Sequence, residues 1–405
     1  MDIREHKGLQ IAALLKVRQQ GDLWLVPSQS GPTKYKVKPD PQSPQCTCPD
    51  FEFRQARCKH IIAVEITIRR EQSSDGQTVI TETVRVTQKT YPQDWPAYNQ
   101  AQTNEKDQFQ CLLHALVKGI GEPSQKIGRP RLPFDEMIFA VTFKVFSTMS
   151  QRRFVSDLRD AHAKGYISKV PHFNSISNYL ESETLTPYLK MLIEESSLPL
   201  REVEHDFAVD SSGFSTCRFV QWVQARHYNP KLLEAREWVK VHLMCGVKTN
   251  VVTAVEVGER FSGDSPFFAP LVEATSQNFL MNEVSADKAY SSAKNLKLVI
   301  SKAAMPYIPF RSNATGSGQG GSVWKRLYYY YSYNQEWFFQ HYHKRSNVES
   351  TFSMIKAKFG DALRSKTKTA QINEALCKVL CHNLCCLIQS MYELNIKPEF
   401  WAKAA

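Results

Sequence analysis

The sequence has no apolar run long enough to cross a lipid bilayer, and its first residues, MDIREHKGLQ, lack the apolar core of a signal peptide. We therefore expect no membrane anchor and a location in the reducing cytoplasm. Acidic residues are comparatively few, since 40 Asp and Glu stand against 51 Lys and Arg and leave a formal net charge of +11. Such an excess of basic residues favours a polyanionic partner, and nucleic acid is the leading candidate.

Cysteine is also too sparse to indicate a disulfide framework, with ten residues in a chain of 405. Three of these cysteines stand with one histidine in two tight pairs, Cys46-x-Cys48 and Cys58-x-His60. Three thiolates and one imidazole complete a tetrahedral zinc shell with no open position, so the metal would be structural. Four unrelated reduced side chains are the alternative.

Composition divides the chain into three blocks. Residues 1–90 carry two short β-type runs, DLWLVPS and KYKVKP, then the cysteines and a helical pattern, CKHIIAVEITIRRE, which together predict a small ββα zinc module. Residues 101–200 are periodic at helical spacing and predict a helical domain. From residue 201 to 405, strand-like runs separated by turn residues are followed by alternating helices and strands, which indicates a mixed α/β sheet flanked by helices.

Two basic segments lie in the helical block. KIGRPRLPFDE carries Lys126, Arg129 and Arg131 around a proline, and SQRRFVSDLRD carries Arg152 and Arg153 at a helix start. Arginines at such a turn are suited to a narrow DNA minor groove, although a solvated basic turn is an equal alternative. The segment VPHFNSISNYLESE is compatible with a helix-turn-helix.

Three carboxylates form the candidate catalytic group. The strand-like run FAVD is expected to end at Asp210, and EVSAD ends at Asp287 before a turn and a helix. Glu349 lies on a helix that follows a glycine-rich loop. Singly, each aspartate is more often a turn or helix cap, but three carboxylates meeting at one end of a sheet would bind Mg²⁺ or Mn²⁺ and support phosphoryl transfer with two metal ions.

The helix that carries Glu349 also carries a row of polar groups. In QHYHKRSNVESTFSMIKAKFG, which predicts one amphipathic helix, Tyr342, Arg345, Glu349 and Lys356 fall on one stripe. A solvated helix with an Arg345–Glu349 ion pair is the alternative interpretation of this row.

Two family resemblances follow from these motifs. The cysteine–histidine pattern, with Trp24 on the preceding strand, resembles the SWIM zinc finger over about residues 20–70 and implies binding of DNA or protein. AVDSSGF, ADKAY and the row Y-x2-R-x3-E-x6-K together resemble the DDE transposases of bacterial and archaeal insertion sequences, in particular the insertion-sequence-four superfamily, over about residues 125–390.

The resemblance to DDE transposases implies a ribonuclease H-like catalytic domain in which Asp210, Asp287 and Glu349 bind two Mg²⁺ or Mn²⁺ ions. It also implies that Arg345 and Lys356 hold phosphates of the transposon end, with Tyr342 hydrogen-bonding nearby backbone. Some relatives stack a flipped DNA base on a tryptophan of an inserted subdomain. The nearest candidate here is Trp324, for which a hydrophobic-patch role is the alternative.

The function implied is DNA transposition. Water would hydrolyse the phosphodiester bond at each transposon end, and the freed 3′-OH would attack target DNA. The expected partner is double-stranded DNA, both ends and target, bound by a dimer or larger assembly in the nucleoid-associated cytoplasm of a bacterium or archaeon. Two alternatives remain: a ribonuclease H-like nuclease without strand transfer, and a catalytically inactive, domesticated transposase that only binds DNA.

Overall fold

The computed structural model describes residues 3–28, 33–40, 42–72, 94–125, 130–216, 238–317 and 320–401. The chain forms two compact units, Met1–Pro92 and Gln93–Ala405. Two of the basic residues considered above, Lys126 and Arg129, lie outside the described residues. Within the described ranges, no helix is both long enough and apolar enough to cross a membrane.

The N-terminal unit is built around a four-stranded antiparallel sheet whose strands pair in chain order. Its elements are α1 (Ile3–Leu14), β1 (Arg18–Gln20), β2 (Leu23–Pro27), β3 (Lys34–Lys38), β4 (Gln45–Cys46), α2 (Pro49–Arg54) and α3 (Lys59–Gln72). The predicted β2, β3 and α3 are confirmed, and the other four elements extend the predicted ββα arrangement.

Alternate residues of β2 and β3 supply the small core of this unit. Trp24 and Val26 of β2 and Val37 of β3 are buried, and they contact Ile11 of α1 and Ile61 of α3. The same cluster contains the three cysteines of the predicted zinc site. A metal bound there would therefore hold together the core of the unit itself, which is too small to gain much stability from apolar burial alone.

The C-terminal unit begins, in its described residues, with helices. These are α4 (Trp95–Thr103), α5 (Glu105–Val117), α6 (Phe134–Ser147), α7 (Gln151–Ala163), α8 (Phe173–Leu180) and α9 (Leu185–Ser197). The helical periodicity of residues 101–200 is thereby confirmed. Apolar residues of these helices share one buried cluster with the sheet that follows and with the C-terminal helix α15 (Lys368–Glu393).

The sheet of this unit is mixed, as the sequence predicts. Its elements are β5 (Asp206–Ser215), β6 (Trp238–Gly246), β7 (Val252–Gly258), α10 (Ser265–Asn278), β8 (Glu283–Ala286), α11 (Ala293–Ser301) and β9 (Met305–Tyr307). The strand order is β7-β6-β5-β8-β9, with antiparallel pairing from β5 to β7 and parallel pairing from β5 to β9.

Both faces of the sheet are covered. Ala208 and Phe214 of β5 face the cluster formed with the helices α5 to α9 and α15, whereas Phe207 and Val209 face a second cluster formed with α10 and α11. This alternation follows from the two-residue period of a strand. Because both faces are buried, most residues of the central strands are apolar. Polar residues within these strands are therefore exceptions that need a structural or functional reason.

The segment predicted as one helix from residue 340 to 360 is divided. After α12 (Gly321–Tyr333) come α13 (Gln335–Tyr342), a 3-10 turn (His343–Arg345) and α14 (Ser346–Phe359). Trp324 of α12 packs edge-on against Phe310, and its Nε1 donates a hydrogen bond to the Thr315 carbonyl oxygen at 2.8 Å. These contacts support the hydrophobic-patch interpretation of Trp324 over a base-stacking role.

His382 on α15 is buried in its neutral form, with Nε2 2.9 Å from the Asn250 carbonyl oxygen. Burial lowers the pKa of His382 from 6.5 to about 4. Between these values the unfolded chain binds more protons than the folded chain, so stability falls as the pH falls. We expect this residue to lower the free energy of unfolding by roughly 2 kcal/mol between pH 7 and pH 5, as measured by urea unfolding.

The variant His382→Gln should lose less stability over this pH interval, while His162→Gln, at an exposed histidine, should behave as the wild type does. An unchanged pH dependence in His382→Gln would show that other groups cause the acid destabilisation.

Candidate active site and zinc centre

Asp210 lies in the middle of β5 rather than at its end, so the prediction that the strand ends there is wrong. Residues 211–215 stay extended because they pair with β6, as far as Ser215 opposite Trp238. Gly213 permits this close pairing, since a Cβ at that position would lie 2.9 Å from the Trp238 side chain. The parallel neighbour β8 ends at Ala286, opposite Val209, one position before Asp210.

Asp287 follows β8 directly and lies beside Asp210. Val209 pairs with Ala286 in parallel register, so the two aspartates occupy the next positions on neighbouring strands. The Asp287 carboxylate accepts a hydrogen bond from the Lys288 N–H at 2.6 Å and caps the short turn that follows. It thus has the capping role typical of an aspartate at a strand end, while also lying next to a second carboxylate.

Arg345 links Asp210 to Glu349. Its Nη1 donates to Asp210 Oδ2 at 2.7 Å and its Nη2 to Glu349 Oε1 at 2.5 Å. The Arg345–Glu349 ion pair considered from the sequence therefore forms, but not on a freely solvated surface, because the Arg345 side chain is only 20% exposed and also pairs with Asp210. The Glu349 side chain itself is 57% exposed.

The pKa of the Asp210 carboxyl is raised, first because the group is buried and also because Asp287 and Glu349 are close enough to repel its charge. Two groups oppose this shift: the Ser211 N–H, 2.8 Å from Oδ1, and the Arg345 guanidinium. The site therefore concentrates negative charge that one arginine balances only in part. A cation bound near Asp210 would lower the energy of the ionised carboxylates.

Lys356 lies about two turns beyond Glu349 on α14, and its Nζ donates a hydrogen bond to Ser212 Oγ at 2.6 Å. An open cleft of about 520 Å³ runs between β5 and α14, and it is lined by Asp210, Ser211, Ser212, Glu349, Phe352, Ser353, Lys356 and Ala357. Tyr342 is half-buried at the other end of the row, with its ring centroid 6.0 Å from Arg345 Cζ. The polar stripe thus faces the strand that carries Asp210.

Three further residues beside this site were not predicted from the sequence. Asp264, just before α10, lies 2.9 Å from Ser211 Oγ and 2.5 Å from Lys240 Nζ, and 3.7 Å from Nδ1 of the fully buried His242. Because Ser211 directly follows Asp210, its hydrogen bond to Asp264 holds β5 next to the Asp210 carboxylate. The signal available in the sequence was the presence of Lys240 and His242 at alternate positions of an otherwise apolar strand.

The cysteine–histidine group is fully assembled. The side chains of Cys46, Cys48, Cys58 and His60 are buried, and their ligand atoms all lie within 4.8 Å of one another. His60 Nδ1 is 4.0 Å from Cys46 Sγ and 3.9 Å from Cys58 Sγ. Ligand atoms of a tetrahedral zinc site stand about 3.5 to 3.8 Å apart, so the group fits Zn²⁺ with little adjustment.

Local structure helps to position the side chains of this group. Cys48 is the N-cap of α2, where its Sγ accepts a hydrogen bond from the Phe51 N–H at 3.4 Å. The pKa of the Cys58 thiol is lowered, chiefly by its hydrogen bond with Cys46 and also by its interaction with His60. Among the described residues, no other group of three or more His, Cys, Asp or Glu side chains has its ligand atoms so close together, and the three carboxylates above do not.

Comparisons with known proteins match the two parts of the chain that contain these candidate sites. Residues 203–384, which include the mixed sheet and the three carboxylates, match the family described as "Transposase DDE domain". Residues 35–69 match the SWIM zinc finger family. The chain is also similar to a probable transposase for an insertion sequence element of Archaeoglobus fulgidus, with 25% identity over 64% of this chain and 77% of that protein.

The two family matches confirm the resemblances found in the sequence. The chain thus contains a transposase DDE domain and, N-terminal to it, a SWIM zinc finger. Cys46, Cys48, Cys58 and His60 all lie within the range matched to that finger, and together they could hold a metal ion.

Proposed function

We propose that this protein binds the ends of an insertion sequence, hydrolyses the phosphodiester bonds there and joins each freed 3′-OH to target DNA. The observation that carries the proposal is the position of Asp210 and Asp287 side by side on parallel strands, with Glu349 linked to Asp210 through Arg345. The covered mixed sheet that holds them supports a ribonuclease H-like catalytic domain.

We assign Asp210, Asp287 and Glu349 as the ligands of two Mg²⁺ or Mn²⁺ ions. Their oxygen atoms are the hard ligands that these ions prefer. The pKa of Asp210 is raised first by burial and then by the charges of Asp287 and Glu349, and a bound metal ion would favour the ionised carboxylate. Bound divalent ions supply activation of the attacking oxygen and stabilisation of the leaving oxygen in phosphoryl transfer.

Arg345 and Lys356 are the proposed phosphate contacts. Arg345 now balances Asp210 and Glu349, and a divalent charge at these carboxylates would free its guanidinium to bind a DNA phosphate. Lys356 already points along the cleft, held by Ser212. Tyr342, next to the guanidinium, is placed to orient Arg345 in either position.

DNA-end binding is assigned to the helices α4 to α9, with the zinc finger as a second contact to DNA or protein. Support comes from the exposed Arg152, Arg153 and Arg159 on α7, which is separated from α6 by only three residues. Such a short connection between two helices is typical of helix-turn-helix units. Pairing of two ends would require a dimer or larger assembly on DNA.

The experiment that tests this function uses the full-length protein, Mg²⁺ and a duplex containing the DNA that flanks its own gene, followed by mapping of nicks. We expect nicks at the borders of inverted repeats, none without a divalent metal and none with Glu349→Gln. A second arm with pre-cleaved ends and a plasmid target measures joining. Cleavage without joining would favour a nuclease, and binding without cleavage would favour a domesticated DNA-binding protein.

A further inference from the structure

A second pocket, of about 370 Å³, lies where α6 ends, α7 begins and the chain leads into α15. It shares no lining residue with the carboxylate cleft. Its lining includes three cationic side chains and two carboxylates, Lys144, Arg364, Lys366, Glu181 and Glu374. Neither the sequence motifs nor the family matches give this pocket a role.

One of these cationic side chains, Lys144, is largely buried. Only 7% of it is exposed, and in the described part of the chain its Nζ has no hydrogen bond or close ion pair. Burial lowers the pKa of Lys144, and Glu374 is the main charge that opposes this shift. An ammonium on a largely buried side chain, without a protein partner, is only partly solvated, so an anion in the pocket would be bound favourably.

The nearest carboxylate is already engaged by other donors. Glu374 accepts hydrogen bonds from the backbone N–H groups of Arg364, at 3.0 Å to each oxygen, and Ser365, at 2.8 Å. It therefore stabilises the loop that forms one wall rather than pairing directly with Lys144. The second carboxylate, Glu181, is exposed on the rim, where its charge is screened by solvent.

Arg364 fixes the opposite wall. Its guanidinium donates hydrogen bonds to the carbonyl oxygens of Thr148 and Met149, which form the turn between α6 and α7. The first residues of α7 then line the pocket, and Ser150, its N-cap residue, makes no side-chain hydrogen bond there. The free N–H groups at a helix start carry partial positive charge and are a common site for phosphate.

We propose that this pocket binds a phosphate group of the DNA backbone, held by the Lys144 ammonium and the N-terminus of α7, with Lys366 adding positive charge. DNA is favoured over a free phosphate ion because Arg152 and Arg153 are exposed on the next residues of α7. There they would contact neighbouring phosphates of the same DNA backbone. The choice of DNA rests on the proposed function, whereas the phosphate site itself does not.

Lys144→Met removes the charge and keeps the length of the side chain. We expect its affinity for a 30-base-pair duplex of random sequence, measured by fluorescence anisotropy, to fall about tenfold. Its slope of log K against log salt concentration should be shallower by about 0.9, the effect of one lost phosphate contact. Lys169→Met, at an exposed lysine outside the pocket, is the matched control and should change the slope much less.

A second experiment compares the melting temperature of the protein in inorganic phosphate with that in sodium chloride at equal ionic strength. It tests whether the pocket binds free phosphate rather than DNA phosphate. A stabilising shift that Lys144→Met abolishes, together with unchanged DNA binding, would support the phosphate site and overturn DNA as its ligand. If neither the salt slope nor the phosphate shift differs between Lys144→Met and Lys169→Met, the pocket has no such role.

Both variants must retain the circular dichroism spectrum of the wild type, and Lys144→Met should be at least as stable, because it removes an unpaired buried charge. None of these measurements depends on cleavage. A protein that binds DNA through Lys144 but never nicks it would therefore contradict the proposed function and leave this inference standing.

Discussion

Asp210→Asn should lower the rate of cleavage at the element ends by about a thousandfold or more while leaving DNA binding intact. The amide keeps the shape of the side chain and can still accept the Ser211 N–H. It removes the negative charge that a divalent ion requires and that Arg345 now balances. Single-turnover nicking in Mg²⁺ measures the rate, and fluorescence anisotropy on the same duplex measures binding.

Asp206→Asn is the matched control for this experiment. Asp206 lies four residues earlier on β5 and is paired with Lys344 at 2.8 Å, so the change also removes a paired carboxylate from the same strand. We expect near wild-type cleavage from it, since Lys344 keeps its second partner, Glu283. Equal loss in both variants would mean that strand stability, not metal binding, explains the effect.

Cys58→Ser should remove zinc and unfold the N-terminal unit. Zinc binding to comparable small modules contributes on the order of 10 kcal/mol, which is as large as the whole stability of many domains. The cysteines also form part of the only buried cluster described in residues 3–28, 33–40 and 42–72. We expect the zinc content to fall from about one ion per chain to none, and limited proteolysis to remove residues 1–92 rapidly.

Cys111→Ser, at an exposed cysteine of α5, should retain both zinc and protease resistance. The C-terminal unit should remain resistant in Cys58→Ser, because it has its own buried cores. Retention of zinc by Cys58→Ser would exclude Cys58 as a ligand, and rapid proteolysis of both units would show that their folding is linked.

Predictions from the sequence succeeded where the determining pattern is local. The helix SPFFAPLVEATSQN corresponds to α10, Ser265–Asn278, with a proline in its first turn. The two one-residue gaps also predicted that Cys46, Cys48, Cys58 and His60 would form one group, and their ligand atoms do lie within 4.8 Å of one another. Local patterns failed at FAVDSSG, where the serines and glycine suggested a turn although pairing with β6 keeps the chain extended.

Helix α12 could not be predicted from the run LYYYYSY, because tyrosine is more typical of strands. The structure shows what overrides that preference: Leu327 is buried, and Tyr328 and Tyr331 pack beside it on the same apolar cluster, at spacings that place them on one helical face. A tertiary surface thus selected the helix. The aromatic run alone did not indicate which of its residues would be covered.

The sequence by itself determined the candidate residues: the cysteine–histidine group, the two aspartates, and the row of tyrosine, arginine, glutamate and lysine. Only the tertiary structure decided that Arg345 would lie between Asp210 and Glu349. Arg345 and Asp210 are 135 positions apart in the chain, so no local pattern indicates their contact. It likewise decided that Lys144 would be buried beside the start of α7. The physical reason is that residue periodicity records which face of an element is covered, whereas strand register and helix packing determine which distant side chains meet there.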